Sequence, residues 1–224
     1  MRNNYISMFD IIGPVMVGPS SSHTSGAAAI SWMARQILSG EPASVTFTLY
    51  GSFADTYKGH GTDRALIGGM LGYRPDDIRI RRAFEEAREA GLDVEFVVNK
   101  EEEMPHPNTV DIDMTAADGH TLFVRGESIG GGRIRITRMN DIDVDFNGDY
   151  STIIVGHRDE PGMAAFMTGC LAERKINIAT MRMFRNAKGK QAFTVIETDD
   201  FIPDAIQYEL DTHPGITSVD IIQL

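Results

Sequence analysis

Apolar positions recur with two different periods along this chain of 224 residues, and the changes of period mark out its elements. Residues 26–39 (GAAAISWMARQILS) place Ala27, Ile30, Met33, Ala34, Ile37 and Leu38 on one face at helical spacing, which predicts an amphipathic helix. Residues 45–50 read as a strand, 63–71 and 77–90 as helices, and 93–98, 109–114 and 121–126 as strands. Residues 133–137 and 142–146 suit a hairpin about Met139-Asn140. In its second arm Ile142, Val144 and Phe146 alternate with Asp141, Asp143 and Asp145, as in a half-buried strand. Asn147-Gly148-Asp149 then reads as a turn or linker. Beyond it, STIIVGHR reads as a strand turning into a helix, with Pro161 suited to the first turn. Met163, Phe166, Met167, Cys170 and Leu171 form that helix's apolar face, which ends near Lys175. Residues 177–184 and 191–198 read as strands joined by the polar turn Asn186–Lys190. Pro203 opens a short helix through Leu210, and Gly215 precedes a last strand, ITSVDIIQL. The order is βαββαβ, a two-layer ferredoxin-like arrangement. The earlier part mixes helices and strands without a strict βαβ rhythm, so the fold class is α+β. The expected domains are residues 1–147 and 148–224.

Composition narrows the function. Hydrophobic residues are 42% and charged residues 24%, the balance of a soluble globular protein. Twenty-one Lys and Arg against 32 Asp and Glu leave a net charge of −11, and both parts are acidic. That sign argues against a nucleic-acid surface, which needs a basic face, and against docking on anionic lipid. No apolar run approaches bilayer length, and the start MRNNYISMFD has no signal-peptide core, so the expectation is a cytoplasmic protein. The one cysteine, Cys170, excludes an internal disulfide and any Cys-rich metal or cluster site within this chain.

Four segments carry candidate chemistry. The first, Gly18-Pro19-Ser20-Ser21-Ser22-His23-Thr24-Ser25-Gly26, stands directly before the first helix. Unpaired N–H groups at a helix start favour an anion, and three serines, a threonine and a histidine add donors. One serine would be explained as a helix cap; SSSHTS is more than a cap requires. Such a cup suits the carboxylate of a small amino or hydroxy acid. The second is Gly51-Ser52-Phe53 followed by Lys58-Gly59-His60-Gly61-Thr62-Asp63, in which flanking glycines expose the imidazole at a strand-to-helix loop. Histidine is well placed for proton transfer near neutral pH, although His60 taken alone reads better as a solvated loop residue and is lifted only by its company. In the third, Pro105-His106-Pro107-Asn108-Thr109, two prolines fix a loop whose structural explanation is almost as good as a binding one. The fourth, Ser128-Ile129-Gly130-Gly131-Gly132-Arg133, lacks the features of a phosphate loop and reads mainly as a hairpin or bulge. His120, His157 and His213 default to structural or exposed roles. Metal binding by His23, His60 and His106 ranks below substrate binding, because their separations match no ligand spacing.

Two resemblances rest on these residues. The last module resembles the ACT domain, a small amino-acid-sensing unit, and the turn Asp159-Glu160-Pro161-Gly162-Met163 matches its ligand loop. FDIIGPVMVGPSSSHTSG, YGSFADTYKGHGTD, HPNT and SIGGG, followed by that module, resemble in their order the beta chain of the iron–sulfur-dependent L-serine dehydratase. The resemblance implies an α/β domain over residues 1–147, similar to the allosteric substrate-binding domain of certain phosphoglycerate dehydrogenases. It implies conversion of L-serine to pyruvate and ammonia, with a 4Fe–4S cluster acting on the serine hydroxyl. The cluster would belong to a separate alpha chain, since this chain has one cysteine. It further implies Ser20, Ser22, His23 and Thr24 at the substrate carboxylate, His60 as candidate base with His23 next, and His106 and Asn108 as neighbours. A regulatory amino acid would meet Asp159, Gly162 and Met163, and the ACT-like module would pair with its copy in a homodimer. Family members commonly carry Arg where this chain has Ala29, so no cationic contact to substrate is expected from that point. The other reading in play is a stand-alone amino-acid sensor, which needs donors but no poised imidazole.

Overall fold

The computed structural model describes residues 15–38 and 40–223. The expectations for residues 1–14, with FDIIGP among them, and for Ser39 and Leu224 therefore lie outside the described residues. A single π-type turn, Ser21–Gly26, runs without a break into helix α1 (Ala27–Ile37). Then come β1 (Pro42–Tyr50), α2 (Gly51–Thr56), α3 (Thr62–Met70), a 3₁₀ turn (Ile78–Arg82) leading into α4 (Ala83–Ala90), and β2 (Asp93–Asn99). The meander β3 (Thr109–Ala116), β4 (Thr121–Gly130), β5 (Arg133–Met139) and β6 (Ile142–Phe146) completes a six-stranded sheet in the order β2-β1-β3-β4-β5-β6. Among the described residues only β1 and β2 run parallel, joined by the helical crossover that a parallel pair requires. Val45, Phe47 and Leu49 alternate inward on β1 and pack, with Ile112 and Val124, against Ile30, Met33, Leu66 and Ile67.

The second sheet holds β7 (Ser151–Arg158), β8 (Thr180–Arg185), β9 (Gln191–Thr198) and β10 (Ile216–Ile222), in the order β10-β7-β9-β8. With helices α5 (Met163–Glu173) and α6 (Asp204–Leu210) it makes the βαββαβ unit. Its helix-facing residues, Ile153, Val155, Ile196 and Val219, pack with Met167, Cys170, Leu171 and Ile206. Its opposite face, with Ile154, Phe193, Val195 and Ile222, joins the core of the first sheet. Both faces of this sheet are therefore covered, which explains unbroken burial from Thr152 to His157. Arg182 on β8 reaches Asp145 on β6 at 3.0 Å, and the Asn186 amide donates to the Asp141 carbonyl.

Besides small shifts at the ends of β1, β3 and β5, the observed elements depart from the expected ones as follows. Gly51–Thr56 is helical rather than loop, so His60 lies between two helices and not between a strand and a helix. Residues 77–90 divide into a 3₁₀ turn and an α-helix. β4 continues four residues past 126, and β8 starts at Thr180 rather than at 177. No helix among the described residues is long and apolar enough to cross a membrane.

Candidate active site

The four segments, scattered through more than a hundred residues, meet at the start of α1. Ser20 caps the turn, its Oγ accepting the His23 N–H at 3.1 Å. The His23 ring is held at both edges, with Ser22 Oγ 3.0 Å from Nδ1 and Ser52 Oγ 2.8 Å from Nε2. Ser52 is placed by the sharp bend at Gly51, where φ is +50° and an added Cβ would stand 2.6 Å from the Pro107 carbonyl oxygen. The same carbonyl accepts the Ser52 N–H at 2.7 Å, which ties this bend to the HPNT loop.

His60 stands beside His23, ring centroids 5.0 Å apart, and Phe53 meets the His23 ring edge-on at 5.4 Å. The buried Thr24 hydroxyl donates to the His60 carbonyl at 2.9 Å, so it joins two of the segments. The His60 Nδ1 is buried and has no hydrogen-bond partner. Burial lowers the His23 pKa from its ordinary value, and the neighbouring His60 lowers it further, against a smaller upward pull from Ser52. His23 is thus a neutral, oriented imidazole at pH 7.

Ser128 closes the cluster from near the end of β4, an interior strand of the sheet. Its hydroxyl donates to the Ser22 carbonyl at 2.9 Å, and its N–H donates to the Asn108 carbonyl at 2.9 Å. Gly26 permits this approach, because a Cβ there would fall 2.0 Å from Ser128 Oγ. His106 Nδ1 accepts the Asn108 N–H at 3.2 Å, while the Asn108 Oδ1 is buried without a partner. Gly130, Gly131 and Gly132 all have positive φ and turn the β4–β5 hairpin, as the glycine run suggested. A cleft of about 390 Å³ opens alongside, bordered by Gly18, Pro19, Thr24, Lys58, His60, Asp63, Arg64, Arg81 and Phe84.

Ser52 and Ser128 are the functional positions that single-residue reasoning passed over. Ser52 directly follows Gly51 just past the end of β1, and Ser128 stands two residues before Gly130 near the end of β4, in segments already singled out. Ala29 is partly buried against the core. In the ACT-like part, Asp159 accepts the Gly189 N–H at 2.9 Å and pairs with Arg185 at 2.6 Å, which keeps its pKa low. Gly162 precedes α5 with φ +98°, and the Met163 side chain lies in the core. His120 pairs with Asp118, His157 is buried against Thr194, and the His213 ring packs on Phe166.

Residues 7–140, which span all four segments, match the family described as serine dehydratase beta chain. Over 216 residues the chain is 45% identical to the probable L-serine dehydratase beta chain of Bacillus subtilis, covering 96% of this chain and 97% of that one. It is 40% identical over 201 residues to the L-serine dehydratase beta chain of Peptoniphilus asaccharolyticus, covering 90% of each. A D-3-phosphoglycerate dehydrogenase of Bacillus subtilis is 29% identical over 162 residues, which cover 72% of this chain and 30% of that protein.

Proposed function

The chain belongs to the serine dehydratase beta chain family, and from that premise we propose that the cluster around His23 is one wall of an active site that converts L-serine to pyruvate and ammonia. The observation that carries this reading is the convergence of four distant segments on two adjoining imidazoles, one held neutral by burial. The Ser20 and Ser22 hydroxyls and the N–H groups at the start of the Ser21–Gly26 turn receive the substrate carboxylate. The α-proton passes to an imidazole as the β-hydroxyl departs, and the resulting aminoacrylate hydrolyses to pyruvate and ammonia.

Of the two candidate bases, the geometry favours His23 over His60. A general base must be unprotonated and fixed in direction, usually by a third group. His23 meets both demands, through its lowered pKa and its bonds to Ser22 and Ser52. Since a hydroxyl occupies each ring nitrogen, the α-proton reaches it by relay, the Ser52 hydroxyl taking that proton as it gives its own to Nε2. His60 has a buried Nδ1 with no orienting partner, and it borders the cleft, where it would meet the substrate's polar groups. His106 and Asn108 stand behind the Ser52 bend and support it.

The residues of this chain do not fit a 4Fe–4S cluster. Its one thiol, Cys170, lies in the core of the ACT-like unit, where burial pushes its pKa up to about 11. The cluster that the family resemblance implies belongs, in this proposal, to a separate alpha chain. The compartment is the cytoplasm, where a free thiol stays reduced. Residues 1–147 form the site-bearing part and residues 148–224 a regulatory part, which pairs with its copy in a second chain. An amino acid bound there would approach the Gly162 backbone, since space is open for 4 Å around its missing Cβ.

Anaerobic mixing of this chain with a cluster-bearing alpha chain tests the reading. The mixture is expected to form pyruvate from L-serine, and the chain alone to form none. Pyruvate formation or stoichiometric iron in the purified chain alone would overturn the two-chain assignment.

A further inference from the structure

Beside the imidazole pair, the surface changes character. Among the described residues, Lys58, Arg64 and Arg81 border the cleft, and none of them is in an ion pair, in a chain of net charge −11. Asp63 also borders the cleft, its carboxylate accepting the Arg64 N–H at 2.8 Å and attracted by Arg64 and Lys58, so the rim sets three cations against one carboxylate. The 3₁₀ turn and the start of α4 add an apolar component. Ile78 and Arg81 stand three residues apart and so eclipse one another along the 3₁₀ turn, and Phe84 follows three residues later. Ile78 is 59% exposed and Phe84 42% exposed, while Ile80 between them is buried. Two large apolar side chains flanking a cation, facing water, gain nothing within this chain.

We propose that this rim, Lys58, Arg64, Ile78, Arg81 and Phe84, is where the alpha chain docks, and that it does so through an acidic surface carrying an apolar knob. The inference rests on the two-chain reading above and goes on to locate the contact. Charge complementarity selects an acidic partner face, because three cations outnumber one carboxylate along one edge of an otherwise acidic molecule. Position selects the alpha chain rather than a second copy of this one: the rim borders the cleft that His60 faces, so whatever covers it also shuts water from the reacting groups. Apolar anchors beside cations are the composition expected at the centre of such a contact.

The test titrates this chain into a fixed concentration of alpha chain and follows pyruvate formation. Arg81→Glu and Phe84→Ser are each expected to raise the half-saturating concentration by tenfold or more. Added salt should raise it for the parent chain and less for Arg81→Glu, because one screened charge pair is then gone. Sedimentation of the mixture, which needs no turnover, should show the same weakening. A variant that lowers the plateau or raises KM without moving the titration midpoint would overturn the proposal, assigning these cations to substrate. A parent chain that binds the alpha chain without restoring turnover would instead sink the proposed function and leave the docking surface standing. Unchanged sedimentation of both variants would sink the docking surface alone.

Discussion

At His23, three features of the chain act on one ring: a cap at Ser20 that starts the helix, a hydroxyl at each ring nitrogen, and a second imidazole 5.0 Å away. The lowered pKa has a definite consequence for activity. A base must be neutral, so the acid limb of kcat/KM is expected below pH 6.5, and activity is lost as pH falls through the lowered pKa. His60→Gln removes the second of the two causes of lowering, so that limb should move to higher pH while burial still holds it down. His23→Ala should lower kcat on the order of a hundredfold or more, the usual scale for a lost general base. If instead His60→Gln abolishes turnover and His23→Ala spares it, the roles are reversed. The residue types of the site were legible in the sequence, because serines, histidines and glycines at that density exceed what turns require. Their mutual placement was not. Nothing in the separate strings says that Ser52 reaches the ring of His23 or that Ser128 reaches the backbone of Ser22, since both contacts are products of the sheet.

The two histidines are carried at the starts of two helices, α1 and α3, and the packing of those helices decides whether the pair exists. The crossing is close because α3 has Gly69 there, where a Cβ would stand 2.4 Å from the Ala28 carbonyl oxygen and 2.7 Å from the Trp32 nitrogen. Ser31 adds a hydrogen bond from its hydroxyl to the Leu66 carbonyl at 2.6 Å. Backbone cannot yield as a side-chain tip can, so Gly69→Ala should destabilise the chain by roughly 1–3 kcal/mol, the usual scale of overpacking. It should also reduce turnover although Gly69 touches no reacting group, because the helix starts would separate. Gly169 on α5 serves as the contrast: nothing lies within 4 Å of its missing Cβ, so Gly169→Ala should stabilise by about 0.5–1 kcal/mol. Urea unfolding of the two variants checks both signs. Periodicity found α1, α3 and the strands, because each buries one face. It missed α2, whose single turn and a half, GSFADT, is too short to show a period and opens on the left-handed Gly51. It also stopped β4 early at polar Glu127 and Ser128, which are buried only because the hairpin and the Ser20–Gly26 segment close over them.

Across the whole molecule, the change of pattern near residue 148 separates two sheets, yet the core of the first part runs on across it while the βαββαβ unit keeps a second core under its helices. The apolar run STIIV reads as one strand, and the sequence contains no signal for what covers its second face. The structure supplies the cover: Ile154, Phe193, Val195 and Ile222 are buried against the first part of the chain, with Met33 lying where a Cβ on Gly148 would clash at 2.3 Å. The ion pairs of Asp145 with Arg135 and Arg182 are half exposed and add little to this. Hydrophobic contact therefore dominates the junction, and the two parts should unfold together. A single cooperative urea transition is expected for the intact chain. Residues 148–224 made alone would expose that apolar face to water, an area of the kind that drives self-association. The fragment should therefore be less stable than the intact chain, and should associate in sedimentation at concentrations where Phe193→Ser in the same fragment does not. Two separate transitions in the intact chain, or a stable monomeric fragment, would show that the shared core carries little of the folding energy. Coupling through that core is also the physical route by which a ligand at the Gly162 loop would reach His23: it must bind more tightly to one packing of the junction than to another.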